Sequence, residues 1–359
     1  MKAKNAFFQE KLLEWYHPSD RPLPWKAIKN PYYIWLSEII LQQTRVEQGL
    51  PYYERFVAKY PTVVDLANAP QDEVYKLWEG LGYYSRARNL HAAAKMIVND
   101  HQAVFPTTYK DIRALKGVGE YTAAAIASFA YDLPYAVVDG NVYRVLSRFF
   151  GIETAIDSTT GKKEFRQLAD QLLDKNNPAQ YNQAIMDFGA THCKPKKPLC
   201  ETCLHQSECT AWKKQLVNVL PLKAKKIKKR KRYFYYFIME DADTVLLQKR
   251  GSKDIWGDLY EFPMIELNAL VEGLFLEERL RAALQEQKWF EDSDVVFENV
   301  SSVYKQTLSH QQIHALFIKT AQPKDFFREK NNSIRIERKK IKNFAFPRII
   351  TNYLEKKGI

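Results

Sequence analysis

The ten residues KAKKIKKRKR at 223–232 carry eight positive charges and no acid. A solvated connector is one reading of such a run and contact with phosphates is the other, and on either the chain divides there. The residues on its two sides have different textures. Before it, ALKGVGEYTAAAIASFA, NVYRVLSRFFG and EFRQLADQLLDK repeat apolar residues every three to four positions and break at Pro or Gly, as helices do. After it, YFYYFIM and TVLLQKR flank EDAD, and VSSVYKQT and QIHALFIKT flank LSHQ, a pattern that predicts two hairpins. LEERLRAALQEQ between them predicts one helix. The expected architecture is multi-domain: an all-α region over 1–222, a basic linker over 223–232 and a smaller α+β domain over 233–359.

At 359 residues the chain can build two or three cores without disulfide staples. Lys and Arg number 54 against 42 Asp and Glu, a net +12, and the eight charges of the run leave about +4 for everything else. The charge therefore speaks first about one connector and only second about a polyanionic partner. No stretch has the length of a membrane span, and MKAKNAFFQEKLLEWY lacks the unbroken apolar core of a secretory signal. A soluble protein that stays inside the cell is expected.

All four cysteines, Cys193, Cys200, Cys203 and Cys209, fall within 17 residues. In a reducing compartment that confinement points to metal rather than disulfides. The spacing is C-x6-C-x2-C-x5-C. Zinc held by four thiolates is the commonest such centre, but the usual zinc pattern pairs two C-x2-C knuckles and only one is present. The ferredoxin spacings differ as well, so the residues alone leave the metal open.

In ALKGVGEYTAAAIA (114–127), Gly117 and Gly119 bracket Val118 between two helical segments. Such a hairpin exposes backbone amides where the second helix begins, a site for phosphate that grips a nucleic-acid backbone without reading bases; a plain interhelical turn is the alternative. In LPYAVVDGNVYRVLSR (133–148), Asp139 precedes a helix and can serve as its N-cap. Glu38, inside WLSEIILQQT, is the other acid of this half most closely flanked by apolar residues. Two carboxyls in different surroundings are what glycosidic-bond chemistry requires. On a helix Glu38 shares a face with Trp35, Leu41 and Arg45. Desolvation would raise its pKa and a close Arg45 would lower it; from this stretch alone the ion pair leads slightly. EGLGYYSRARNLHAAAK (79–95) interleaves tyrosines with Arg86 and Arg88, which suits stacking on bases and holding phosphates as well as completing a core.

Together SEIILQQT, GLGYYSRARNL, LKGVGEYTAAAI, VDGNVYRVLSR, NQAIMDFGATHC and the cysteine loop resemble the helix-hairpin-helix DNA glycosylases, and within them the adenine DNA glycosylases of the MutY type. The resemblance runs through residues 5–215 and more weakly beyond. It implies a six-helix module over about 29–136, an iron–sulfur module over about 1–28 plus 137–222, and a [4Fe-4S] cluster on the four cysteines. It implies Glu38 as proton donor to adenine and Asp139 as the carboxylate that stabilises the sugar cation, with Tyr121 and Asn141 positioning that chemistry. Gly117 and Gly119 become the DNA-backbone clamp. Gln43, Thr44, Leu81 and Tyr83 match positions that wedge the helix and contact the opposing 8-oxoguanine, Gly82 is expected at the DNA with them, and Trp25 and Lys26 match positions near the flipped adenine and the DNA.

The domain after the basic run resembles the MutT-like (Nudix) fold without its G-x5-E-x7-R-E-x2-E-E box, and so is expected to read a base and hydrolyse nothing. Ser309 and His310 match the loop that contacts the lesion, with Leu308 where phenylalanine is common. The implied partner is double-stranded DNA carrying A:8-oxoguanine or A:G mispairs, bound by a monomer. Two other readings stand beside this one. An endonuclease III-like glycosylase with lyase activity would need a lysine where GVGEYT has Tyr121, because a Schiff base requires an amine. A DNA-binding iron–sulfur sensor would need neither Glu38 nor Asp139.

Overall fold

The structure is a computed structural model describing residues 2–224, 229–286, 296–321 and 332–358. Positions 225–228 of the basic run, and Gln287 at the end of the helix expected over 276–287, lie outside the described residues. In chain order the helices are α1 (Lys2–Trp15), α2 (Pro31–Ile40), α3 (Val46–Lys59), α4 (Val63–Asn68), α5 (Gln71–Trp78), α6 (Ser85–Asp100), α7 (Tyr109–Ala114), α8 (Glu120–Tyr131), α9 (Gly140–Phe150), α10 (Thr159–Leu172), α11 (Pro178–Asp187), α12 (Thr210–Lys213), α13 (Leu276–Glu286) and α14 (Arg348–Lys356). The strands are β1 (Arg230–Met239), β2 (Thr244–Lys249), β3 (Tyr260–Glu261), β4 (Met264–Leu267), β5 (Val296–Val300), β6 (Tyr304–Thr307), β7 (Gln311–Ala321) and β8 (Ser333–Glu337). Two compact units result: residues 1–68 with 89–226, and 69–88 with 227–359.

Among its described residues the first unit is helical throughout. Asn30 caps α2 by accepting from the Tyr32 amide at 3.0 Å, with Pro31 in the first turn, where its missing N–H costs nothing. α2 is buried on all sides from Ile34 to Ile40. It packs on α8, whose Ala123, Ala124, Ala125 and Ala127 are fully buried and small enough to let the helices close up. The helix stops at Ile40, and Gln43 then takes the left-handed conformation at φ 54°. A second core gathers Phe8, Leu12, Val145, Leu146, Phe149, Phe165 and Phe188, with Cys193, Cys203 and Cys209 packed at its edge.

In the second unit β1 lies inside a sheet of order β4-β1-β7-β5, with β6 also on β7, while β3-β2-β8 form a separate sheet. β1 runs parallel to β7 and antiparallel to β4. Leu276, Leu280 and Leu284 of α13 cover one face over Tyr235, Phe237, Leu316 and Ile318. Ile349, Ile350 and Tyr353 of α14 cover the other over Phe234, Tyr236 and Phe317. The expected hairpin across LSHQ forms as β6–β7. The one expected across EDAD does not: both edges of β1 are taken by β4 and β7, and its link to the β2 side is the single bridge Glu240–Val245.

The basic run is also less of a linker than expected, because its last residues, Arg230 to Arg232, belong to β1. The pleat turns Arg232 inward, where it is 8% exposed and pairs with both oxygens of Asp254 at 2.7 and 2.8 Å and with Glu266 at 2.6 Å. Arg250 extends the network to Glu261 at 2.5 Å and to Asp254 at 2.7 Å. Bidentate geometry of this kind is what makes two buried guanidinium groups tolerable. Segment 69–88 joins this unit through Asp72, which accepts from Lys249 at 2.6 Å and Tyr260 at 2.9 Å, and Glu79, which accepts from the Phe346 amide at 2.8 Å.

Candidate active site

A cleft of about 1030 Å³ opens in the first unit. Its walls bring together Glu38, Tyr121, Asp139 and Asn141, and with them Trp25, Lys26, Gln43, Thr44, Gly117 and Gly119.

Glu38 projects from α2 and is 6% exposed. Burial pushes its carboxyl up to about 7; the Tyr121 hydroxyl, in hydrogen-bonding reach, pulls it down, and the charge of Asp139 pushes it up further. The ion pair with Arg45 that the local sequence favoured is not formed. α2 ends five residues before Arg45, which is exposed, so the two never share a helical face. Tyr121 enters from the first turn of α8. Burial, with Glu38 and Asp139 beside it, holds its hydroxyl well above the ordinary phenol value, so it remains a neutral donor.

Asp139 caps α9, accepting from the Asn141 and Val142 amides at 2.9 and 2.8 Å, while the Asn141 side-chain amide donates to its second oxygen at 2.7 Å. Burial prevails and holds this carboxyl above its ordinary value too, although these donors and the charge of Arg144 oppose the rise. The two acids therefore sit in opposite settings: Glu38 is desolvated with one phenol for company, and Asp139 is met by three N–H groups at a helix N-terminus. Such a pair can divide into a proton donor near neutral pH and an ionised partner.

Three supporting residues lay in quoted motifs without an assigned role. Asn182, 1% exposed, accepts from the Val137 amide at 3.0 Å and donates to Ser128 Oγ and the Tyr135 carbonyl, both at 2.9 Å. It fastens the segment that delivers Asp139. Arg144 donates to Asn141 Oδ1 at 2.9 Å, the Gly189 carbonyl at 2.6 Å and the Cys193 carbonyl at 2.8 Å. Asp187, 3% exposed, accepts from Arg21 at 2.7 Å and from Lys26, so Lys26 reaches the cleft as half of an ion pair. Buried Asn and Asp inside a helical motif are the signal that could have found two of them.

Gly117 has φ 78°, and a Cβ there would meet Asn89 at 2.6 Å. Gly119 is extended and caps α8, and a Cβ on it would meet open space. Both are exposed, with Val118 buried between them, leaving the amides at the start of α8 open to an approaching anion.

The four thiols are partly buried and free. Burial and the neighbouring thiols raise Cys203 to about 12, and Cys200 and Cys209 above the ordinary value. Arg148 points a guanidinium nitrogen at Cys193 Sγ, 3.5 Å away. Among the described residues no three His, Cys, Asp or Glu side chains close round a single ion. The donor set nevertheless fits a metal centre: four soft sulfurs, close enough to feel one another's charge, that would release protons as they bound.

The second unit holds the remaining named residues. Leu81 is 5% exposed, below the surface, whereas Tyr83 is 46% exposed. Gly82 and Tyr83 both have positive φ, 78° and 49°, and the Gly82 carbonyl is held by Trp78 Nε1 at 3.0 Å and Arg86 at 3.1 Å. The Tyr83 hydroxyl meets that of Ser309 at 2.5 Å. His310 is exposed, and its carbonyl accepts from the Arg230 amide at 2.9 Å. Among the described residues no helix is long and apolar enough to cross a membrane.

Residues 36–174 match the HhH-GPD superfamily of base excision DNA repair proteins, and residues 234–356 match the NUDIX domain. The adenine DNA glycosylase of Buchnera aphidicola (subspecies Acyrthosiphon pisum) is 31% identical over 354 residues, 97% of each chain. The human adenine DNA glycosylase is 43% identical over 218 residues, 58% of this chain and 40% of that one. Among solved structures, a thermostable thymine-DNA glycosylase superposes with a TM-score of 0.55 at 31% identity, over 59% of this chain and 98% of its own. A non-covalent endonuclease III–DNA complex has a TM-score of 0.53 over 60% of this chain and 98% of its own; at 22% identity it shares the fold.

Proposed function

This chain belongs to the adenine DNA glycosylases of the helix-hairpin-helix base excision repair superfamily, and on that premise we propose that it flips adenine mispaired with 8-oxoguanine or guanine out of duplex DNA and hydrolyses its N-glycosidic bond. The observation that carries this reading is the pair of unlike carboxyls in one cleft, Glu38 near neutrality beside the N–H-bound Asp139.

Adenine leaves poorly as an anion. Glu38 gives its proton to a ring nitrogen, so that the base departs neutral, and Asp139 offsets the positive charge growing on the deoxyribose. Water then adds at C1′, its proton going to the Glu38 carboxylate left by the first step, and an abasic site remains. A positioned acid is worth roughly 10²–10⁴-fold in rate. Tyr121 holds the Glu38 carboxyl in place and Asn141 holds Asp139. Flipping costs a few kcal/mol, offset by Gln43, Thr44 and Tyr83 filling the gap, with Trp25 and Lys26 near the extruded base. The amides at Gly117 and Gly119 grip the backbone, and Ser309 and His310 read 8-oxoguanine. Leu81 sits 5% exposed, so we assign the wedge to Tyr83 and leave Leu81 and Gly82 to support it.

Because Tyr121 offers no amine, the enzyme is monofunctional; strand cleavage of an A:8-oxoguanine duplex without alkali or heat would overturn that. Cys193, Cys200, Cys203 and Cys209 would hold a [4Fe-4S] cluster, which would tie residues 193–209 together. A yellow-brown protein with a broad visible absorbance shoulder supports the cluster, and a colourless zinc protein refutes it. We place the activity on a monomer in the bacterial cytoplasm. Base release from A:8-oxoguanine, A:G and oxidised-pyrimidine duplexes, measured side by side, tests the assignment: excision confined to the pyrimidine duplex would move the enzyme to the endonuclease III class.

A further inference from the structure

The sheet of the second unit is covered unevenly. Side chains alternate across its two faces, and α13 covers one of them over Tyr235 and Leu316. Nearer the 308–310 tip the same face carries Lys231, Tyr233, Lys305, Thr307, Gln312 and His314. Their cross-strand pairs are Tyr233 with His314, Lys231 with Gln312, Lys305 with His314 and Thr307 with Gln312. Lys231, Lys305 and Thr307 are exposed, and none of the six is an acid. The patch is tied directly to the tip by the Arg230 amide, which donates to the His310 carbonyl at 2.9 Å.

His314 at its centre is 8% exposed, and neither ring nitrogen has a hydrogen-bond partner among the described residues. The ring leans on Tyr233 with centroids 5.3 Å apart, and the charges of Lys231 and Lys305 both act on it. A buried imidazole whose donor and acceptor are both idle is costly to keep, and two ammonium groups beside it set the sign of what could satisfy it.

We propose that this patch takes the sugar-phosphate backbone of DNA, with Lys231 and Lys305 each holding a phosphate and His314, whose ring nitrogens are covered in the free chain, turning to donate a ring N–H to a phosphate oxygen between them. The assignment rests on the DNA-repair reading above and extends it to residues outside both the cleft and the Ser309–His310 tip. Backbone contacts position a protein without reading sequence, so the patch should grip damaged and undamaged duplex alike.

The test uses the full chain carrying Glu38→Gln, so that bound substrate is not consumed, and compares Lys231→Ala, Lys305→Ala and His314→Phe on an A:8-oxoguanine duplex and on a matched duplex of the same sequence. Each lysine variant is expected to weaken binding of both duplexes by the same factor and to lower the slope of log K against log salt by about one. His314→Phe is expected to weaken both while raising Tm, since its idle nitrogens are gone; a purely structural histidine would change Tm alone. Unchanged affinity and salt slope in the lysine variants overturn the proposal, as does a loss confined to the lesion duplex. The readout is equilibrium binding, so an enzyme that releases no adenine can pass this test and an active enzyme can fail it.

Discussion

The hydroxyls of Tyr83 and Ser309, 226 residues apart in sequence, stand 2.5 Å from each other. One comes from a loop forced into positive φ at Gly82 and Tyr83, the other from the tip of the β6–β7 hairpin. Two residues assigned separately to the lesion are thus one hydrogen-bonded unit. Tyr83→Phe and Ser309→Ala should each reduce the preference for A:8-oxoguanine over A:G by roughly 2–10-fold, the worth of one hydrogen bond. The double variant should lose little more than either single one. The ratio of kcat/KM on the two duplexes checks this, and full additivity would separate the residues.

Glu38→Gln should slow base release by roughly 10²–10⁴-fold with duplex binding retained. Unchanged turnover would remove Glu38 from the chemistry. In the native enzyme, base release should fall as pH rises past about 7, where Glu38 loses its proton.

The same carboxyl makes stability depend on pH. Its folded pKa, about 7, lies above the ordinary 4.5, so the folded state binds the extra proton between those values. The contribution is fully present below about 4.5 and is lost as pH rises through about 7. Glu38→Gln carries no such loss, so its stability relative to the native enzyme should improve between pH 5 and pH 8, by an amount on the order of 2–3 kcal/mol. Denaturant melts at the two pH values measure it; parallel curves would mean that Glu38 is solvated.

Asn182→Ala leaves the Val137 amide and the Tyr135 carbonyl without their partner. Each orphaned buried group costs about 1–3 kcal/mol. Because the segment they belong to delivers Asp139, single-turnover base release should fall with Tm, whereas a distant core truncation of equal cost should lower Tm alone.

Arg144→Gln removes a charged donor from the Gly189 and Cys193 carbonyls and from Asn141. A loss of about 1.5–3 kcal/mol per charged hydrogen bond is the upper range for each contact. The catalytic rate should drop through Asn141 and Asp139 while duplex affinity stays within a few-fold of native. An unchanged rate at reduced Tm would confine Arg144 to a structural role.

Much of this molecule was readable one short window at a time. The helices announce themselves through apolar spacing, Gly117 and Gly119 through the hairpin they bracket, and Glu38 and Asp139 through apolar flanks that few acids tolerate. The cysteine spacing was legible too, though from the residues alone it left the metal open. Each of these is a local property, written in residues a few positions apart.

The partners were not. Glu38 meets Tyr121 rather than Arg45, because α2 ends at Ile40 and α8, packed against it, supplies the donor. β1 pairs with β4 and β7 instead of folding back on β2, and Arg232 leaves the basic run for buried carboxylates. The chain by itself determined which segments are helices, which acids are conspicuous and where the thiols lie, since backbone propensity and burial pattern act over a few residues. Only the tertiary structure decided what each buried polar group faces, because in a desolvated interior protonation and pairing depend on atoms brought in from distant parts of the chain.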